Sequence, residues 1–162
     1  MIYMMVGIQG SGKTTLSNEL SKKMNIEIVS TDMVRKNNKG IEENLVWDVV
    51  YKRIAELVDE DKDVIYDATN ITPKVRKRLV DEVAKYTNKK LTIGVYYLET
   101  NVEECHKRIV ERNKKALELC LPEEVVYSFS SSLIEPTLDE GFEFIRYVEN
   151  GKVIWEKNRF SK

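Results

Sequence analysis

The sequence predicts a three-layer α/β domain built on a mainly parallel central sheet. Strand-like apolar runs and helical segments alternate along most of the chain, an order that folds as a parallel sheet covered by helices on both faces. The first run, "IYMMV" at residues 2–6, is apolar throughout, as a strand buried on both faces requires. A chain of 162 residues suits one core, and no repeat, linker or low-complexity segment marks a second. Residues 1–162 are therefore read as a single domain.

After the first strand, residues 13–24 carry Leu16 and Leu20 on one face and read as a helix. "IEIVS" (26–30) is a second strand. "GIEENLVWDVVYKRIAELVDE" (40–60) is a long helix, because Leu45, Val46, Val49, Val50, Ile54, Leu57 and Val58 recur at helical spacing. "DVIYD" (63–67) is a third strand. Thr72 reads as an N-cap and Pro73 as the first helical residue of a basic helix reaching about Tyr86. "LTIGVYYL" (91–98) is a fourth strand. Residues 101–119 and 122–134 form two helices separated by Pro122. Finally "FEFIRYV" (142–148) and "KVIWEK" (152–157) flank Asn150-Gly151, a strong hairpin signal, so the chain closes on an antiparallel pair.

Composition narrows the class. Hydrophobic residues make up 42% and charged residues 33%, a globular balance with a charge-rich surface. No apolar run reaches membrane-span length, and the N-terminal run lacks the basic flank of a secretory leader. Cys105, Cys120 and the single histidine, His106, fit no metal or disulfide spacing, so we expect no zinc and a reducing, cytoplasmic setting. The net charge of −1 conceals a division. Ile71 to Lys115 holds 12 Lys+Arg against 6 Asp+Glu, an excess of +6, whereas Ala116 to Glu149 holds 8 acids and one base, −7. The basic middle is either a solvated helix face or a surface that meets phosphates.

Gly7-Ile8-Gln9-Gly10-Ser11-Gly12-Lys13-Thr14 matches G-x-x-x-x-G-K-[ST] in full, between a strand and a helix. Backbone N–H groups must converge on phosphate oxygens, which a Cβ at the tight positions would obstruct. The helix adds its positive N-terminal end. Lys13 is assigned to the β- and γ-phosphates and the Thr14 hydroxyl to Mg²⁺; Thr15 follows. The loop specifies a nucleoside triphosphate. A guanine-reading N-K-x-D is missing, since "NNKG" and "TNKKL" lack the Asp, and a motor normally needs more chain. A compact kinase is left, which needs positioning, charge neutralisation and a proton acceptor.

"VSTDMVRK" supplies the acceptor. With Ser30 or Thr31 at a helix cap, Asp32 and Arg35 share a face at i and i+3. The carboxylate can take a hydroxyl's proton and the guanidinium can grip an anionic group, unless the two are an ordinary exposed pair. Asp67 ends the third strand, where it can hold Mg²⁺, meet the acceptor or close a turn; Asn70 is a weaker substrate candidate. Arg108 and Arg112 at i and i+4, with Lys107, Lys114 and Lys115, suit a lid over ATP at about residues 101–121. A solvated helix with Val102, Cys105 and Ile109 inward has the same pattern. Trp47 and Tyr51 are read as core residues first and as lining of an acceptor pocket second.

"GIQGSGKTT", "STDMVRK", "VIYDATNITPKVRKRL", an R-x-x-x-R segment followed by "LPEEVV", and "IEPTLDEGFEFI" give the chain its resemblance from Ile2 to about Val148. It resembles the small P-loop kinases that include phage and bacterial polynucleotide 5′-hydroxyl kinases, alongside zeta-toxin-like and AAA-type kinases. The resemblance implies ATP as donor, Mg²⁺, and a DNA or RNA 5′-OH as acceptor. It makes Asp32 the general base and Arg35 the grip on the polynucleotide's scaffold phosphate. In the best-known phage enzyme the lid arginine falls where this chain has Ala116, so Arg108, Arg112 and the two lysines share that role. The corresponding aspartate is offset by one residue from Asp67. The basic helix residues Lys74, Arg76, Lys77 and Arg78 suit a polynucleotide track. The alternatives are a small-molecule hydroxyl (nucleoside, sugar, antibiotic or nucleotide-sugar), which the pI of 6.0 favours slightly, and a nucleotide-binding protein without turnover.

Overall fold

A computed structural model describes residues 1–115 and 121–160. The strands are β1 (Ile2–Val6), β2 (Glu27–Ser30), β3 (Val64–Asp67), β4 (Ile93–Leu98), β5 (Phe144–Glu149) and β6 (Lys152–Asn158). The helices are α1 (Lys13–Met24), α2 (Thr31–Asn37), α3 (Glu43–Asp59), α4 (Pro73–Val83), α5 (Val102–Lys115) and α6 (Val125–Ser132), with a short 3₁₀ turn at Leu138–Glu140. The six strands and α1, α3, α4 and α6 lie within a few residues of their sequence-based bounds; the sequence sets none for α2 or the 3₁₀ turn, and the expected end of α5 at residue 119 lies outside the described residues.

The sheet runs β2-β3-β1-β4-β5-β6. The first five strands are parallel, and β6 returns antiparallel to β5. Asn150 and Gly151 make that turn with φ of 50° and 75°, the left-handed pair a two-residue hairpin demands. Gly94 opposes Phe144 across β4 and β5. A Cβ on residue 94 would fall 2.0 Å from the Phe144 ring, so the missing side chain is what lets that ring lie across β4.

Two cores sandwich the sheet. On one face Val46, Val50, Ile54 and Leu57 of α3 and Leu79 and Val83 of α4 pack against Met4, Val6, Val64 and Val95. On the other, Leu16 and Leu20 of α1 meet Met5, Ile65 and Leu98. A third cluster joins Ile8 to Cys105 and Ile109 of α5 and Val126 of α6. Cys120 and Ala116 lie outside the described residues. Among the described residues no helix is long and apolar enough to cross a membrane.

Because β1 is central and its neighbours are parallel, the carboxyl ends of β1, β2, β3 and β4 all open on one edge of the sheet. That edge is where such sheets bind ligands.

Candidate active site

Residues 7–12 turn between β1 and α1. Gly10 has φ +80°, and a Cβ there would stand 2.6 Å from the Cys105 carbonyl oxygen. The first turn of α5 can therefore press against the loop only because residue 10 is glycine. Gly12, also left-handed, caps α1, whose N-terminal end faces the loop. Gly7 is buried and donates its N–H to the Thr69 carbonyl at 3.0 Å, tying the loop to the segment after β3. The Ser11 carbonyl accepts from the Thr100 hydroxyl at 3.0 Å. The Gln9 Oε1 and Ser11 Oγ atoms are buried without a hydrogen-bond partner.

Lys13 bends back, donating from Nζ to the Ile8 carbonyl at 2.8 Å. Burial pushes its ammonium pKa down, and the carboxylate of Asp67 opposes that shift most strongly. Asp67, buried at the end of β3, has its pKa pushed up by burial, against the pull of Lys13 and of a hydrogen bond from Thr14. The Thr14 hydroxyl stands 3.3 Å from Asp67 Oδ2. A hydroxyl and a carboxylate oxygen side by side fit Mg²⁺, which takes one or two protein carboxylates and fills its shell with water and phosphate oxygens.

Ser30 caps α2 by accepting from the Met33 N–H at 3.0 Å. This fixes the first turn, and Arg35 Nη1 reaches Asp32 Oδ1 at 2.9 Å. Arg35 also donates from Nε, at 3.2 Å, and from Nη2 to the carboxylate of Glu43 at the start of α3. The guanidinium holds the Glu43 carboxyl below its ordinary pKa. Glu43 was not singled out in the sequence; an acid in the first turn of the next helix is the signal that would have found it.

Gln9, Lys13 and Thr14 line one open cleft of about 440 Å³ together with Asp32, Arg35 and Asp67. Trp47 and Thr31 join them from the α2–α3 side, and Arg108, Arg112 and Phe129 from α5 and α6. Arg108 donates to the Gly10 carbonyl at 2.9 Å and pairs with Glu104 at 3.3 Å. Thr15, with Ser11 and Arg108, also borders a second cleft that runs to the β5–β6 turn.

Two predicted substrate residues stand elsewhere. Arg76 is 1% exposed. It donates from Nε to Glu140 at 2.8 Å and from Nη1 to the carbonyls of Asn70 at 2.8 Å and Ile134 at 3.1 Å. It lies on the face of α4 that Leu79 and Val83 turn inward, so it cannot meet a ligand at the surface. Asn70 is also buried, at φ +50°, and its Nδ2 donates to the Met5 carbonyl at 2.8 Å. It braces the end of β1 and does not line the cleft. Of the two aromatic residues, Tyr51 is buried in the core, whereas Trp47 is half-buried and lines the cleft.

A family model described as an AAA domain (AAA_33) matches residues 2–136. A search of curated proteins returned no match. Among solved structures, a proposed kinase from Chloroflexus aurantiacus j-10-fl superposes with a TM-score of 0.68 at 16% identity, covering 83% of this chain and 80% of that one. A gluconokinase from Sinorhizobium meliloti 1021 gives 0.52 at 15% identity, covering 83% and 75%. A chain of the Pnkp1/Rnl/Hen1 complex gives 0.56 at 24% identity, covering 66% of this chain and 38% of that one. With its strand order, phosphate loop and closing hairpin, the chain belongs to the AAA domain family and has the fold of a P-loop kinase.

Proposed function

We propose that the protein transfers the γ-phosphoryl group of ATP to the 5′-hydroxyl of a polynucleotide. The observation that carries this reading is the shared cleft: Asp32 and Arg35 open onto the same space as Lys13, Thr14 and Asp67. Asp32 takes the proton of the acceptor hydroxyl as its oxygen forms a bond to the γ-phosphorus, and the bond from that phosphorus to the β–γ bridging oxygen breaks to leave ADP. Lys13 and the loop N–H groups hold the donor phosphates, and Arg108 and Arg112 approach them from α5. Mg²⁺, held by Thr14 and Asp67, would neutralise charge on the β- and γ-oxygens. Arg35 orients the acceptor through an anionic group.

Incubation with γ-labelled ATP, Mg²⁺ and a 5′-OH oligonucleotide tests the proposal. Label should pass to the oligonucleotide, and Asp32→Asn should slow transfer by about 10²–10⁴-fold while ATP binding is retained. Absence of transfer from the wild type would reject it.

One observation favours a second reading, in which the acceptor is a small neutral hydroxyl compound: Arg35 is already engaged by two carboxylates, Asp32 and Glu43. Parallel assays with nucleosides, sugars and oligonucleotides separate the two, since only a nucleic-acid acceptor gives a KM that rises steeply with salt.

A further inference from the structure

We propose that a single-stranded 5′ end leaves the cleft over Trp47, stacking a base on its indole, and continues along the outer face of α4 with a backbone phosphate at Arg78. The proposal rests on the polynucleotide reading above and adds a path to it. Trp47 is the aromatic residue that α3 contributes to the cleft holding Asp32 and Arg35. Its ring is steadied from within, stacked on buried Tyr51 at a centroid distance of 6.0 Å and 28° between planes. The Arg78 guanidinium carbon lies over the Trp47 ring, 5.9 Å from its centroid, placing a cation from α4 against the indole. Arg35 and Trp47 thus share the cleft with Asp32, and Arg78 reaches the same ring from α4.

Burial of Arg76 fixes how α4 is turned. With Arg76, Leu79 and Val83 inward, Lys74, Lys77 and Arg78 are exposed. Lys74 stands one turn before Arg78 on the same face. Lys77 is paired with Asp81 at 2.7 Å, which leaves Lys74 and Arg78 as the pair best placed to extend the path. A cationic strip that begins at a ring suits single-stranded nucleic acid, whose bases stack on aromatic faces while its backbone follows positive charge. Bases inside a duplex are already stacked on both faces, so the path favours an unpaired end.

Trp47 and Trp155 are the two tryptophans of the chain, so Trp155→Phe leaves Trp47 as the sole tryptophan, read by selective tryptophan excitation. In that background a 5′-OH oligo(dT) hexamer, added without ATP, should quench the emission to saturation. Arg78→Ala should reduce the slope of log K against log salt by about 0.7, the share of one phosphate on a single strand. Trp47→Leu should weaken oligonucleotide binding by roughly 5- to 150-fold, with ATP affinity retained, and Trp47→Phe should recover most of that loss. If the hexamer is phosphorylated and bound while Trp47 emission and the Arg78→Ala salt slope stay unchanged, the path is wrong and the polynucleotide function stands. If wild-type protein neither binds nor phosphorylates the hexamer, both fall together.

Discussion

Lys13 and Asp67 sit together under conflicting demands. Burial disfavours the charge of each, and each stabilises the charge of the other. For Asp67 burial prevails, so the folded chain holds its proton more tightly than the unfolded chain does. The associated stability is present below the ordinary carboxylate pKa and is lost as pH rises through the raised value. Asp67→Asn should abolish the stabilising shift from MgATP in thermal melts. In the wild type, Mg²⁺ affinity measured by titration calorimetry should fall as pH is lowered through that raised pKa, because a protonated carboxyl is a poor ligand. Gly10→Ala would meet both a left-handed backbone and the Cys105 carbonyl. We expect a cost of about 1–3 kcal/mol in denaturant titration, with loss of nucleotide binding. The phosphate loop was legible because its chemistry is written in consecutive residues. The burial of Asp67 and the grip of Glu43 on Arg35 were not, since both depend on elements brought together by folding.

The helices were read well where apolar spacing was dense, as in α3, and capping was readable at Thr72, whose hydroxyl accepts from the Val75 N–H at 3.3 Å. The inward face of α4 was misread because its largest buried side chain is an arginine. Nothing local marks Arg76 as internal; its carboxylate partner, Glu140, is 64 residues away. That ion pair ties α4 to the segment after α6, and through the Asn70 carbonyl it holds the loop that follows Asp67. Glu140→Gln or Arg76→Leu should destabilise the fold by about 3–5 kcal/mol, because each leaves a partner uncompensated. Replacing both with apolar residues of similar volume should recover much of the loss in urea titrations. On α5, Arg108 joins the helix to the phosphate loop through the Gly10 carbonyl. Arg108→Ala should raise the KM for ATP by about tenfold, the weight of one charge-assisted hydrogen bond, with little change in melting temperature.

Across the molecule, the alternation of strands and helices made a parallel α/β sheet legible, and Asn150-Gly151 made its antiparallel closure legible. Strand order was not, because adjacency in the sheet is decided by which helices cover which face. The order found places β1 between β3 and β4. On one flank lie β2, β3 and α2 to α4, which carry Asp32, Arg35, Trp47 and Arg78; on the other lies β4, leading into α5 with Arg108 and Arg112. The two halves meet at the strand that carries the phosphate loop. A chain so divided can exchange one partner molecule for another by rewriting the exposed faces of α2, α3 and α4, while the phosphate loop on β1 and Asp67 at the end of β3 are inherited unchanged.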